Sequence, residues 1–136
     1  MAEYTLTNAT AVAVGSAVPY NNTVVKGCCD IRHRSGSGIV TVKGSGCCKC
    51  PRRYRVNFHG NISGVQGEMV LGIYLDGELL PETRMSVVGT GTTAVYSVDA
   101  VTIVPADCCC HSISVRVITG DAVTVNNAAL IVEREA

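Results

Sequence analysis

The sequence lacks any excess of charge: eleven basic and eleven acidic residues cancel, and the isoelectric point lies near 6.8. That balance argues against duplex nucleic acid or an anionic membrane as an electrostatic partner. No apolar run approaches the ~18 residues of a membrane span. Met1–Ala2–Glu3 opens without the basic stretch and apolar core of an export signal, so cytoplasmic synthesis without a cleaved leader is expected. Leucine occurs only six times and lysine three, which leaves little from which to build helices. There is no repeat, no dividing linker, no phosphate-binding glycine loop and no paired-carboxylate motif. One domain is expected, with no enzymatic activity and no cofactor.

What is present is β-branched. Val 21, Ile 8 and Thr 12 make 41 of 136 residues, and such side chains suit a pleated surface better than a helix. The expected class is all-β. Surface scaling gives about 6,800 Å² for the folded chain against roughly 20,600 Å² unfolded, enough burial for a core without staples. Strands are expected near 27–33, 38–43, 52–60, 68–75, 78–88, 93–104, 111–118 and 128–134. Ser35–Gly36–Ser37–Gly38 closes one hairpin and the two-residue Asp76–Gly77 turn another. Residues 1–25 differ, being small and nearly uncharged, and read as an N-terminal arm or first strand ahead of a domain over 26–136. With Tyr4, Leu6 and several valines as their larger apolar groups, residues 1–20 are expected to add little to the core.

Two strands alternate. Tyr54, Val56 and Phe58 oppose Arg53, Arg55, Asn57 and His59, and Ile113, Val115 and Val117 oppose Ser112, Ser114 and Arg116. Others are apolar on both sides: Met69, Leu71, Ile73 and Leu75 interleave with Val70 and Tyr74, and Ala129–Val132 is unbroken. A sandwich strand needs only one apolar face. The second face predicts burial against another subunit, with Val70, Tyr74 and Ile131 as interface candidates.

The segments IRHRSGSGIVTVKG (31–44), RYRVNFHGNIS (53–63), DCCCHSISVRV (107–117) and NAALIVERE (127–135) resemble a family of small proteins encoded by tailed phages of gut Firmicutes. The resemblance implies an all-β, TNF/C1q-like jelly-roll sandwich of about eight to ten antiparallel strands. It further implies a homotrimer in the virion, as a head decoration or fibre head beside proteins such as the major capsid protein. Two other readings stand beside it. One is a disulfide-cross-linked subunit of a bacterial surface or spore appendage; the other is a fibre module that binds a receptor or host surface glycan.

Eight cysteines fall into three clusters: Cys28–Cys29, Cys47–Cys48 with Cys50, and Cys108–Cys109–Cys110. Strand order, with the neighbours that the jelly roll implies, brings all three to one pole. Three readings remain open. Disulfides fit a particle released into an oxidising medium, with Cys47, Cys48 or Cys50 joined to 108–110. Zinc fits the spacing of Cys47 with Cys50 and of Cys108 with His111. The third is a set of small buried hydrophobes with no bond between them. The run Lys49–Arg55 reads as a partly solvated edge, and His33, His59 and His111 have no nucleophile at triad spacing.

Overall fold

A computed structural model describes residues 1–27, 29–45, 51–90, 94–107, 109–120 and 123–135. Its accessible surface is 6919 Å², close to that expected of a compact chain of this mass. Among the described residues there are twelve strands: β1 (Ala2–Leu6), β2 (Thr10–Val12), β3 (Asn22–Val25), β4 (Ile31–His33), β5 (Val40–Val42), β6 (Arg52–Ser63), β7 (Gln66–Leu75), β8 (Glu78–Leu79), β9 (Met85–Thr90), β10 (Val95–Ala106), β11 (His111–Thr119) and β12 (Val123–Glu135). The first sheet runs β10-β6-β12-β1-β3, with β2 continuing the β1 side of β12. The second runs β4-β5-β11-β7-β8, with β9 continuing the β8 side of β7. Every pairing is antiparallel. This is a jelly-roll sandwich.

The core lies between the sheets, as alternation dictates. Tyr54, Val56 and Phe58 of β6 and Leu130 and Val132 of β12 face Leu71 and Ile73 of β7 and Ile113 and Val115 of β11, all of them fully buried. The Asp76–Gly77 turn forms as read: both residues have positive φ, 53° and 82°, which matches the twist of the β7–β8 hairpin.

Twelve strands replace the eight read directly from the sequence, for two reasons. The expected strand 78–88 is broken at Pro81, which has no N–H for a ladder and starts a 3-10 turn, Pro81–Thr83. The buried Thr83 hydroxyl accepts from Ile73 N–H at 2.9 Å and donates to the Leu80 carbonyl at 2.6 Å, tying that turn to β7. The other three strands come from the N-terminal segment. Its expected small contribution to the core is corrected: Ala2, Tyr4, Leu6, Val12, Val18 and Tyr20 are all buried. Beyond β2 the chain crosses to the second sheet, where Gly15 and Val18 donate to the Val117 and Val115 carbonyls at 2.8 Å each. It then returns as β3, so it straps both layers.

The outward side of β7 is covered by its own chain. Ile118 follows Arg116 on the outward phase of β11, beside a bulge at Val117/Thr119, and Leu79 of β8 pairs with Tyr74 on the same side. A Cβ at Gly72 would strike both Leu79 and Ile118, which shows how closely they close over it. Val70 is only 9% exposed, so its reading as a subunit contact is corrected. One face of the Tyr74 ring is taken by the Arg116 guanidinium, 5.3 Å from the ring centre.

Candidate functional site

Two regions stand out. The first is the pole where the described cysteines lie. Cys29 precedes β4 and Cys109–Cys110 precede β11, and all three thiols are free and exposed. Backbone bonds knit this end. Lys43 N–H donates to the Asp30 carbonyl at 2.8 Å, and Gly44 N–H to the Cys109 carbonyl at 2.9 Å. Gly44 is required there, because a Cβ would run into the Asp107 and Cys109 carbonyls. Arg52, the first residue of β6, pairs with Ala106, the last of β10. The strand ends flanking 46–50 and 108 therefore meet at this pole. Cys28, Cys47, Cys48, Cys50 and Cys108 lie outside the described residues.

Cys29 and Cys110 line one cavity of ≈ 280 Å³ with Asp30 and Lys43. Their strands, β4 and β11, flank β5 on opposite sides. That places them about 9.5 Å apart by strand spacing, beyond the ~4.4–6.8 Å of a disulfide. A direct Cys29–Cys110 bond does not fit this arrangement.

His111 is hydrogen-bonded at both ring nitrogens. Nδ1 meets Asp76 Oδ2 at 2.5 Å and Nε2 meets Asp107 Oδ1 at 3.1 Å. Both ring nitrogens thus stand beside a carboxylate, while Cys47, Cys50 and Cys108, the other zinc candidates, lie outside the described residues. The Asp76 hydrogen bond is the main force holding the imidazole pKa above its ordinary value, against partial desolvation. Burial pushes the Asp76 carboxyl upward, but the bonds from His111 and from Ser112 N–H outweigh it and hold it below the usual range. Among the described residues, no group of three or more His, Cys, Asp or Glu is placed to hold a metal.

The second region is the outward face of the first sheet. Register sets Val101 of β10, Asn57 of β6, Ile131 of β12 and Glu3 of β1 in one row. Val101 and the neighbouring Ile103 are 56% and 48% exposed, and Ile131 is half-buried. Polar groups interleave with these apolar side chains, Asn57 between Val101 and Ile131 and Arg55 beside Ile103. Arg55 pairs with Glu135 at 2.9 Å on one side, and on the other Ser97, Asn61 and Asn127 form a hydrogen-bonded row at 2.9 Å each. Sequence reasoning found Ile131 but missed Val101 and Ile103. Their signal was available, since both fall on the polar phase of β10 with Ser97 and Asp99.

A third feature lies inside the sandwich. His33 packs between Tyr4 and Tyr20, ring centres 4.5 and 5.8 Å away, and its Nε2 donates to the Ser37 carbonyl at 2.7 Å. His33 Nδ1 and the Tyr20 hydroxyl are buried without partners, and burial drives the Tyr20 pKa far up. His59 is an exposed residue of β6.

No family model and no curated protein matches the sequence. Solved structures do. The globular domain of zebrafish complement 1qA protein aligns over 96% of this chain and 94% of its own, with a TM-score of 0.67 at 11% identity. Eiger TNF from S. frugiperda aligns over 99% and 91%, with a TM-score of 0.68 at 10% identity. PRD1 vertex protein P5 aligns over 98% and 94%, with a TM-score of 0.55 at 10% identity. The chain is similar in fold to all three, a TNF/C1q-like jelly roll.

Proposed function

We propose that the chain is a non-enzymatic structural protein of a phage virion, a homotrimer that decorates or projects from the capsid surface next to the major capsid protein. The observation that carries this reading is the outward face of the first sheet, where Val101 and Ile103 stand exposed on the edge strand β10 and the half-buried Ile131 lies across Asn57 from Val101, apolar side chains interleaved with polar ones as on a surface that meets another protein. The segment resemblance supports the three-fold state, and the likeness in fold to PRD1 vertex protein P5 supports the setting. Two measurements test it. Light scattering at micromolar concentration should give the mass of three chains, and an antibody to the chain should label purified virions in electron micrographs. A monodisperse monomer or dimer, or unlabelled particles, overturns the reading.

A second reading is favoured by the three exposed thiols at one pole. There the chain is a subunit of a surface or spore appendage, polymerised through cysteine bridges. It requires ladders on a gel that collapse with reductant; a single band without reductant removes it.

A further inference from the structure

The zero net charge conceals a strong separation. Residues 26–55 hold eight of the eleven basic residues and a single acid, Asp30, a net of +7, so the rest of the chain carries −7. Four of these cations, Lys26, Arg32, Arg34 and Lys43, are exposed around the edge strand β4 and the exit of β5. Among the described residues none of the four pairs with an acid, and Asp30 itself lies 4.0 Å from Arg134. Unpaired cations concentrated on one edge of a neutral protein form a field that a counter-charged ligand can fill.

That edge is also concave. Three adjoining depressions of ≈ 560, ≈ 410 and ≈ 280 Å³ wrap around β4, and Arg32 lines all three. The largest opens at the mouth of the sandwich, where the chain crosses from β3 to β4; Lys26 and Arg32 stand there over the buried Ile31. The second places Arg34 and the 44% exposed Ile39 beside Arg32. The third carries Lys43 beyond the Arg32–Thr41 cross-strand pair. Cations thus follow one another along a groove, with the exposed Ile39 beside Arg32 and Arg34.

We propose that this groove binds a linear acidic polysaccharide, with carboxylates on Lys26, Arg32, Arg34 and Lys43 and a sugar C–H face against the exposed Ile39. Arg32 is the central contact, because its planar fork matches a carboxylate in two hydrogen bonds. Single-stranded nucleic acid is the lesser fit. It needs aromatic platforms for its bases, and Tyr4, the aromatic of the largest depression other than His33, is 3% exposed. This proposal does not rest on the virion reading and holds for a monomer as well as a trimer.

Calorimetric titration of the full chain with short oligogalacturonates tests it, with neutral dextran and oligothymidine as comparison probes. Binding to oligogalacturonate should weaken as salt rises, dextran should give no heat, and oligothymidine should bind more weakly. Arg32→Ala should weaken binding at least about tenfold and Arg32→Lys by less. The double variant with Arg34→Ala and Lys43→Ala supplies an independent loss if Arg32→Ala does not fold. Arg84→Ala, exposed at the end of the 3-10 turn, should bind like the parent. Absence of binding at low salt, an unchanged affinity in folded Arg32→Ala, or equal affinity for oligothymidine overturns the proposal.

Discussion

The outward sides of the two sheets read alike in the sequence and differ in the folded chain. Both β7 and β12 carry apolar residues on both faces. On β7, Leu79 and Ile118 fold over Gly72 from neighbouring strands, and Arg116 lies on Tyr74. On the first sheet, no such cover reaches Val101 or Ile103, which stay about half exposed beside Ile131. A two-sided apolar strand is therefore ambiguous. Its second face is satisfied within the chain wherever a neighbouring strand or short hairpin can lay a side chain over it, and only an uncovered one is available to a partner.

The largest disruption of this comparison removes what ties the two sheets together. Deleting residues 1–20 strips β1 and β2 from β12 and the strap from β11, along with the buried Tyr4, Leu6, Val12, Val18 and Tyr20. At about 1.5–3 kcal/mol for each large side chain, the loss is on the order of 10 kcal/mol, comparable to the stability of a whole domain. The truncated chain should show no cooperative thermal transition by circular dichroism. A sharp melt would restore the view of this segment as a detachable arm.

A matched pair of charges compares the two faces directly. Leu79→Asp places a carboxylate in the self-covered face and should cost about 1–2 kcal/mol in urea denaturation while leaving the oligomer's mass unchanged. Ile103→Asp on the open face should shift the stability of the isolated subunit by no more than about 0.5 kcal/mol, but reduce the mass seen by light scattering. The reverse pattern would exchange the roles of the two faces.

The smallest effect concerns His111, which joins the β7–β8 hairpin to the segment arriving from the first sheet. Its raised pKa means that its contribution is complete below the ordinary imidazole value of about 6.5 and disappears as pH rises through the raised value. The depressed Asp76 pKa means that the carboxylate contribution is present above about 3.9 and disappears as pH falls through the lowered value. The link should matter most between about pH 4 and 6.5. His111→Gln should lose stability in that window and approach the parent at pH ~9, by less than about 1 kcal/mol, since Asp76 is half exposed and screened. A deficit that does not vary with pH would mean that packing, not charge, is what His111 supplies.

Legibility followed the range of the interactions. The β6 and β11 alternation and the Asp76–Gly77 turn were readable because each depends on neighbours two residues away or on the turn's own dihedrals. The break at Pro81 was legible from the missing N–H and was passed over. The N-terminal segment was legible only as an arm or a single first strand, because strands this short form only where β12, and then β1, offers an open edge. At the cysteine pole, strand order together with the neighbours implied by the jelly-roll resemblance brought Cys29 and Cys110 to one end. The commitment of His111 to Asp76 and Asp107 required knowing where the hairpin tip lies.

By itself the sequence determined an all-β chain, the inward phase of its long strands and the gathering of its cations into residues 26–55. β-branched composition, period-two alternation and charge order are properties of the chain read in one dimension. The tertiary structure alone decided which apolar face closes on itself, that Arg32 stands at the junction of three depressions, and that the first twenty residues belong to the core. Each of those depends on which distant segments share an edge or a layer, and sandwich pairings join residues more than a hundred positions apart, as Ala2 joins Val132.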